Sequence, residues 1–220
     1  MRFLVLLFAG LTITGAAYAQ NNEINPEDFL PDGERQLEEQ LPDASDEALV
    51  PTPDDVPLEQ AVSRLDELFG DLKRAANSSY AETIAQSIWA EWFKSGSATI
   101  DLWMNWAREA TRERDFHIAL DYLDQIVTQE PDFAEGWNRR ATVHFMMNNY
   151  AKSMSDITRV LELEPRHFGA LSGMAIILER TGRKEAALKA WSETLSVYPA
   201  MENAQNAVIR LEEELGGDPA

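Results

Sequence analysis

The sequence predicts an all-α protein, a solenoid of helix–turn–helix pairs closed by a C-terminal capping helix. Three observations predict it. Pro131, Pro165 and Pro199 stand 34 residues apart. Further columns keep the same register: Trp103, Trp137 and Leu171; Ala107, Ala141 and Ala175; Ala119, Ser153 and Ala187; Leu123, Ile157 and Trp191; Ile126, Val160 and Thr194. Large, small, small and large positions in fixed order before a proline describe a repeated helix pair. The small residues mark where two antiparallel helices cross closely, and the proline ends each pair because it cannot continue a helix.

These columns resemble the tetratricopeptide-repeat family over 100–199, about half the chain. The resemblance implies a right-handed superhelix whose concave side binds protein or peptide ligands. Some residues depart from the repeat. Arg140 and His144 replace the residue types at Trp106 and Met174, and at Ala110 and Leu178. Lys184 stands where Phe116 and Tyr150 stand. These departures bear on how tightly the second and third pairs pack.

The elements follow in order. Residues 1–19 read as a cleavable secretory signal, with Arg2, an apolar run Phe3–Ile13 and a small-x-small site at Ala17-Tyr18-Ala19. The expected mature start is Gln20 and the expected address a Gram-negative periplasm, with secretion as the alternative. An uncleaved anchor is the other reading, although the run is short for a bilayer. Residues 20–56 hold twelve acidic residues against Arg35, with five prolines. Such a segment buries too little apolar surface to offset its ordering entropy, so it is expected to be a disordered acidic tether. It reads as a spacer, or as a peptide that docks through Phe29, Leu30, Leu37 and Leu41, with the groove described below as its seat.

Pro57 suits a helix start. Ala61, Val62, Leu65, Leu68, Phe69 and Leu72 then form one face. A second helix, Tyr80–Phe93, turns Ile84, Ile88, Trp89 and Trp92 inward, and Ser95-Gly96-Ser97 ends it. Residues 57–99 are thus expected to be a degenerate helix pair opening the stack. The first helices of the clear pairs fall at about 101–113, 135–147 and 169–181, and the second helices at 116–129, 150–163 and 184–197. Asn148 and Gly182 tolerate the left-handed backbone at the turns. Asp115 and Asn149 suit N-caps. A capping helix at 200–215 turns Ala204, Val208, Leu211 and Leu215 inward, and 216–220 is a tail.

Composition narrows the function. The 220 residues carry a formal net charge of −19 with 45% hydrophobic residues, which offers no surplus for nucleic-acid phosphate or anionic lipid. Cysteine is absent, which removes thiolate chemistry and the usual zinc sites. His117, His144 and His167 form no ligand pair at helical spacing. Neither a nucleotide loop nor a nucleophile elbow occurs. No catalytic residue, cofactor or metal is therefore expected. The six tryptophans read as core, Trp106 least clearly.

The groove remains. The resemblance places on the concave side Asp101, Met104, Asn105, Arg108 and Arg112 from the first clear pair. It adds Glu135, Asn138, Arg139, Thr142, Phe145 and Met146 from the second, and Gly169, Ser172, Gly173, Ile176 and Arg180 from the third. The candidate ligand contacts are Met104, Asn105, Arg108, Arg112, Asn138, Arg139, Thr142, Phe145, Met146, Ile176 and Arg180. Arginine forks suit carboxylates, so an acidic segment is favoured. Alternatively these arginines simply pair with neighbouring glutamates. Gly169 and Gly173 let a ligand come close. The family's carboxylate clamp is not reproduced at these positions. The expected function is a non-catalytic interaction module or scaffold of the periplasm binding a protein or peptide segment. The alternative is a periplasmic assembly factor or chaperone-like adaptor for envelope proteins.

Overall fold

The computed structural model describes residues 58–216. The expected signal at 1–19, the tether at 20–56, Pro57 and residues 217–220 lie outside the described residues, as do the side chains of Ala61 and Val62. The described chain is all helix: α1 (Leu58–Arg74), α2 (Ser78–Trp92), α3 (Ala98–Arg112), α4 (Phe116–Gln129), α5 (Ala134–Met146), α6 (Tyr150–Leu163), α7 (Phe168–Arg180), α8 (Lys184–Val197) and α9 (Glu202–Gly216). None of the described helices is long and apolar enough to cross a membrane.

Helices α3–α4, α5–α6 and α7–α8 are the three repeats, and α9 packs on α8 as the cap. Sequence periodicity places the second helices to the residue. Helix α3 begins earlier than expected because Ser97 caps it, accepting a hydrogen bond from the Ile100 amide. The small-residue columns lie at the helix crossings: Ala107, Ala141, Ala175, Ala119, Ser153 and Ala187 are all buried. At one crossing the Ser153 hydroxyl donates to the Ala141 carbonyl at 2.8 Å, tying α6 to α5.

One turn is used three times. Arg114, Asn148 and Gly182 hold φ of 64°, 58° and 74°. The amides that follow them, of Asp115, Asn149 and Arg183, donate to the carbonyls of Ala110, His144 and Leu178, each at 2.8 Å. This is the left-handed helix end that satisfies otherwise orphaned carbonyls. Asp115 and Asn149 occupy N-cap places, but neither side chain makes a cap hydrogen bond. Their ψ values of 60° and 57° lie outside the extended conformation that aims a cap side chain at the next amides.

The departures from the repeat have their own partners. The Arg140 guanidinium donates to both carboxylate oxygens of Asp156 on α6, at 2.7 and 2.9 Å, and to Asp124 on α4 at 2.8 Å. It also covers the Trp137 ring. A polar clamp across three helices thus stands where the neighbouring repeats carry Trp106 and Met174. Lys184 reaches Glu214 on α9 at 3.0 Å. His144 is buried and its Nδ1 has no hydrogen-bond partner. Burial, the largest influence, holds its pKa below the ordinary histidine value.

The N-terminal hairpin α1–α2 corrects the expectation that it opens the stack. It folds back over the second and third pairs instead. Phe69, Leu72, Ile84, Ile88 and Trp89 share one core with Phe145, Phe168, Ile177, Tyr198 and Met201. The first pair has a separate core of Ile100, Ala107, Ala110, Ala119, Leu123 and Ile126, joined by Val143 of α5. The reversal is made at residues 93–97, where Gly96 takes φ 77°.

Candidate functional site: a concave face partly filled by its own chain

Helix α2 lies across the N-terminal ends of the inner helices. Its first turn borders Tyr198 and Met201–Asn203 at the start of α9, around a small cavity of about 180 Å³. Further along, Trp92 stacks on His167, and Trp89 meets His167 and Phe168 edge-on. At the end of the helix the Phe93 ring lies 4.8 Å from the Arg139 guanidinium of α5. Gly169 makes the approach possible: a Cβ there would stand 2.7 Å from the Trp89 ring. The open backbone read from the sequence as room for a ligand is occupied by an indole of the same chain. Helix α1 runs along the edge, where Arg166 stacks on Phe69 and donates to Asp66 at 2.6 Å.

Beneath α2 lies a buried polar network. Glu135 accepts from Arg139 Nε at 2.7 Å and from Asn138 Nδ2 at 3.1 Å. His167 Nδ1 accepts the Ala170 amide, so its proton sits on Nε2, which donates to Glu135 at 3.2 Å. Burial alone would raise the Glu135 carboxyl; the Arg139 charge and the His167 contact outweigh it and hold the pKa below the usual carboxylate value. Arg139 is therefore committed to Glu135 and Phe93. The indole N–H groups of Trp89 and Trp92 are buried without acceptors.

The expected contact residues divide into two groups. Asn138, Thr142, Phe145 and Ile176 are buried, as are Glu135, Gly169, Ser172 and Gly173. Thr142 and Ser172 return hydrogen bonds to Asn138 and Gly169 of their own helices. Asp101, Asn105, Arg112 and Arg180 are exposed, while Met104, Arg108, Arg139 and Met146 are half-buried. Several of the arginines already pair within the chain. Arg108 donates to Asn105, Arg112 to Glu109, and Arg180 to the Tyr150 hydroxyl while covering Phe145. The structure brings Arg139 and Gly169 against the end of α2, and leaves Arg180 exposed and Met146 half-buried along with the first-pair residues. Sequence reading placed Trp89 and Trp92 in a core without assigning them to this face. The available signal was three aromatics, Trp89, Trp92 and Phe93, at the end of α2 and a glycine, Gly169, in the first turn of α7.

No family model matches the chain. A TPR repeat-containing protein of Rhizobium etli is 54% identical over 155 residues, covering 70% of this chain and 76% of the relative. The chain belongs to the TPR repeat proteins. Among solved structures, the first TPR domain of Spaghetti bound to the HSP90 peptide SRMEEVD superposes with a TM-score of 0.51 at 17% identity, covering 53% of this chain and 93% of that one. MamA superposes with a TM-score of 0.50 at 13% identity over 72% of this chain and 85% of MamA. At such identities the likeness is one of fold: a TPR helical-repeat solenoid.

Proposed function

We propose that this TPR protein is a non-catalytic scaffold of the Gram-negative periplasm that holds a protein or peptide segment on its concave face. The observation that carries the reading is the seat of α2, whose aromatic contacts support a face suited to holding a helical segment. An outside segment has the rest of the face, at Met104, Asn105, Arg108, Arg112, Met146 and Arg180. It reaches Asn138, Arg139, Thr142, Phe145 and Ile176 only by competing with buried contacts. The arginines favour a ligand with carboxylates. The peptide-bound Spaghetti domain supports a peptide ligand in general terms. Half-buried Met104 and Met146 give adaptable contact, which favours the alternative of an assembly factor for envelope proteins.

A crosslinked pulldown from periplasmic extract tests both, run beside an Arg108→Glu/Arg112→Glu variant. One or two partners, lost in the variant, support the scaffold. Many exported chains in unfolded form support the assembly factor. Capture that is indifferent to the variant removes the concave face from the reading. Mass spectrometry of the exported protein tests the address: a mature start at Gln20 supports it, and an intact 1–19 segment makes the protein membrane-anchored.

A further inference from the structure

Because α1–α2 fold back, the leading face of the first pair is left without a neighbour among the described residues. Among the described residues five large apolar side chains are exposed; Leu102 and Trp106 lie on this face at 43% and 45% exposure, and Ile118, one turn before Tyr122, borders it at 49%. Tyr122 joins them, its ring 5.4 Å from Trp106. The 34-residue register shows what these positions do elsewhere. The equivalents of Leu102 are Gly136 and Ala170, and those of Tyr122 are Asp156 and Ala190; all four are buried. Gly136 is pressed on the preceding pair so closely that a Cβ would stand 2.7 Å from Ile126. These columns therefore form the surface by which a pair stacks on the one before it. In the first pair they carry larger side chains, yet Leu102 is exposed and Tyr122 only half-buried.

We propose that a second copy of this chain covers this face, leading face against leading face about a twofold axis. The size fits. Helices of 15 and 14 residues are each about 22 Å long, and two side by side present a face of roughly 450 Å² in projection. Ridged side chains bring its accessible area towards the ~800 Å² that each side of a standard interface buries. Charge decides the arrangement. Head-to-tail stacking would set the exposed acids Glu109, Glu113 and Asp121 against the exposed Glu202, Glu212 and Glu213 of α9, whose Arg210 is already engaged by Glu179 and Glu214. The leading face itself has a mixed rim, with Arg112 and Arg114 beside those acids, so a twofold arrangement can set the arginines of one copy against the acids of the other. An isologous contact also closes on itself and stops at two copies.

Sedimentation velocity on the full chain tests this, with a Trp106→Glu variant alongside. The expected result is a reversible dimer at micromolar concentration that becomes a monomer in the variant, with unchanged helical circular dichroism. Since the chain has no cysteine, single Gln125→Cys and Gln205→Cys variants can each carry one spin label. Labels at 125 should show a short intermolecular distance and labels at 205 a long one. A monomer at all concentrations overturns the proposal, and so does a dimer that survives Trp106→Glu or one that brings the 205 labels together. Crosslinks from residues 20–56 to α3 in a monomer would make the tether the cover instead, which also overturns it.

Discussion

The indole of Trp92 lies flat on the imidazole of His167, with ring centroids 4.1 Å apart and planes 7° from parallel. Through this contact a helix from the start of the chain is fastened to the cap of α7. Trp89 is fully buried beside it. Trp89→Ala should therefore cost about 3–5 kcal/mol, the range for removing a large aromatic from a core. Trp92, half-buried, should cost less. Urea unfolding measures both. A Trp89→Ala loss under ~1 kcal/mol would mean that α2 is not seated in this core.

Gly169→Ala is a smaller and more pointed change. The added methyl would meet the Trp89 ring at 2.7 Å, and neither the buried ring nor the backbone has room to yield freely. A loss of about 1–3 kcal/mol is expected from overpacking. Combining it with Trp89→Leu should recover part of that loss, because the smaller side chain vacates the contact. Strict additivity in thermal unfolding would show that the two sites do not touch.

Acid sensitivity should trace to Glu135. Its pKa is depressed in the folded protein, so its stabilising contribution is complete above the ordinary carboxylate value of about 4.3 and fades as pH falls through the lower, folded value. Glu135→Gln should be less stable than the parent at neutral pH, since Arg139 and His167 lose their anion. The gap should narrow steadily on the acid side. Melting temperatures of both proteins between neutral and strongly acid pH check this, and a constant gap would contradict the assignment.

The repeated turn offers a stabilising substitution. Arg114 takes a left-handed φ of 64° at the place where the next two turns use Asn148 and Gly182. Arg114→Asn adopts that backbone more readily and should add roughly 0.5 kcal/mol or more. A small rise in denaturation midpoint is expected, and a fall would mean that the Arg114 side chain makes a contact worth more than the strain.

The helix faces themselves are testable. Ala141 is wholly buried at the α5–α6 crossing, whereas Glu212 is exposed on α9. Ala141→Leu should cost about 1–3 kcal/mol by forcing the crossing apart. Glu212→Leu should change stability by less than ~0.5 kcal/mol. Equal losses would refute the facing of both helices.

Most of the fold was legible because a 34-residue register makes each column testify three times. Ala107, Ala141 and Ala175 mean little singly and specify a crossing together. The seat of α2 was not legible in that way. Nothing in the periodicity of Ile84, Ile88 and Trp89 says which surface the face will meet, and the 34-residue shift suggested stacking on α3. The choice is tertiary: Phe168, His167 and Gly169 form a cleft that only the folded third pair presents. The Arg140 clamp was hidden for a related reason. Its acids come from α4 and α6, and a departure from the repeat looks like a defect until its partners are placed. The contact of Gly169 with Trp89, and of Arg139 with Phe93, could not be read for the same reason, since it depends on where α2 is seated.

The ion pair between Asp66 and Arg166 spans a hundred positions of sequence. Arrays of stacked units ordinarily have local contacts alone, so they can nucleate anywhere and come apart one unit at a time. Here the earliest-made helices find their seat among the last. During synthesis the aromatic side of α2 stays wet until α7 has emerged, and folding then waits on the closure of a long loop, the kind of step that slows a chain of otherwise local contacts. The same closure couples the two ends in unfolding. Loss of the hairpin uncovers the core of the third pair, and loss of the third pair sets the hairpin adrift, so these two parts of the array are expected to melt together.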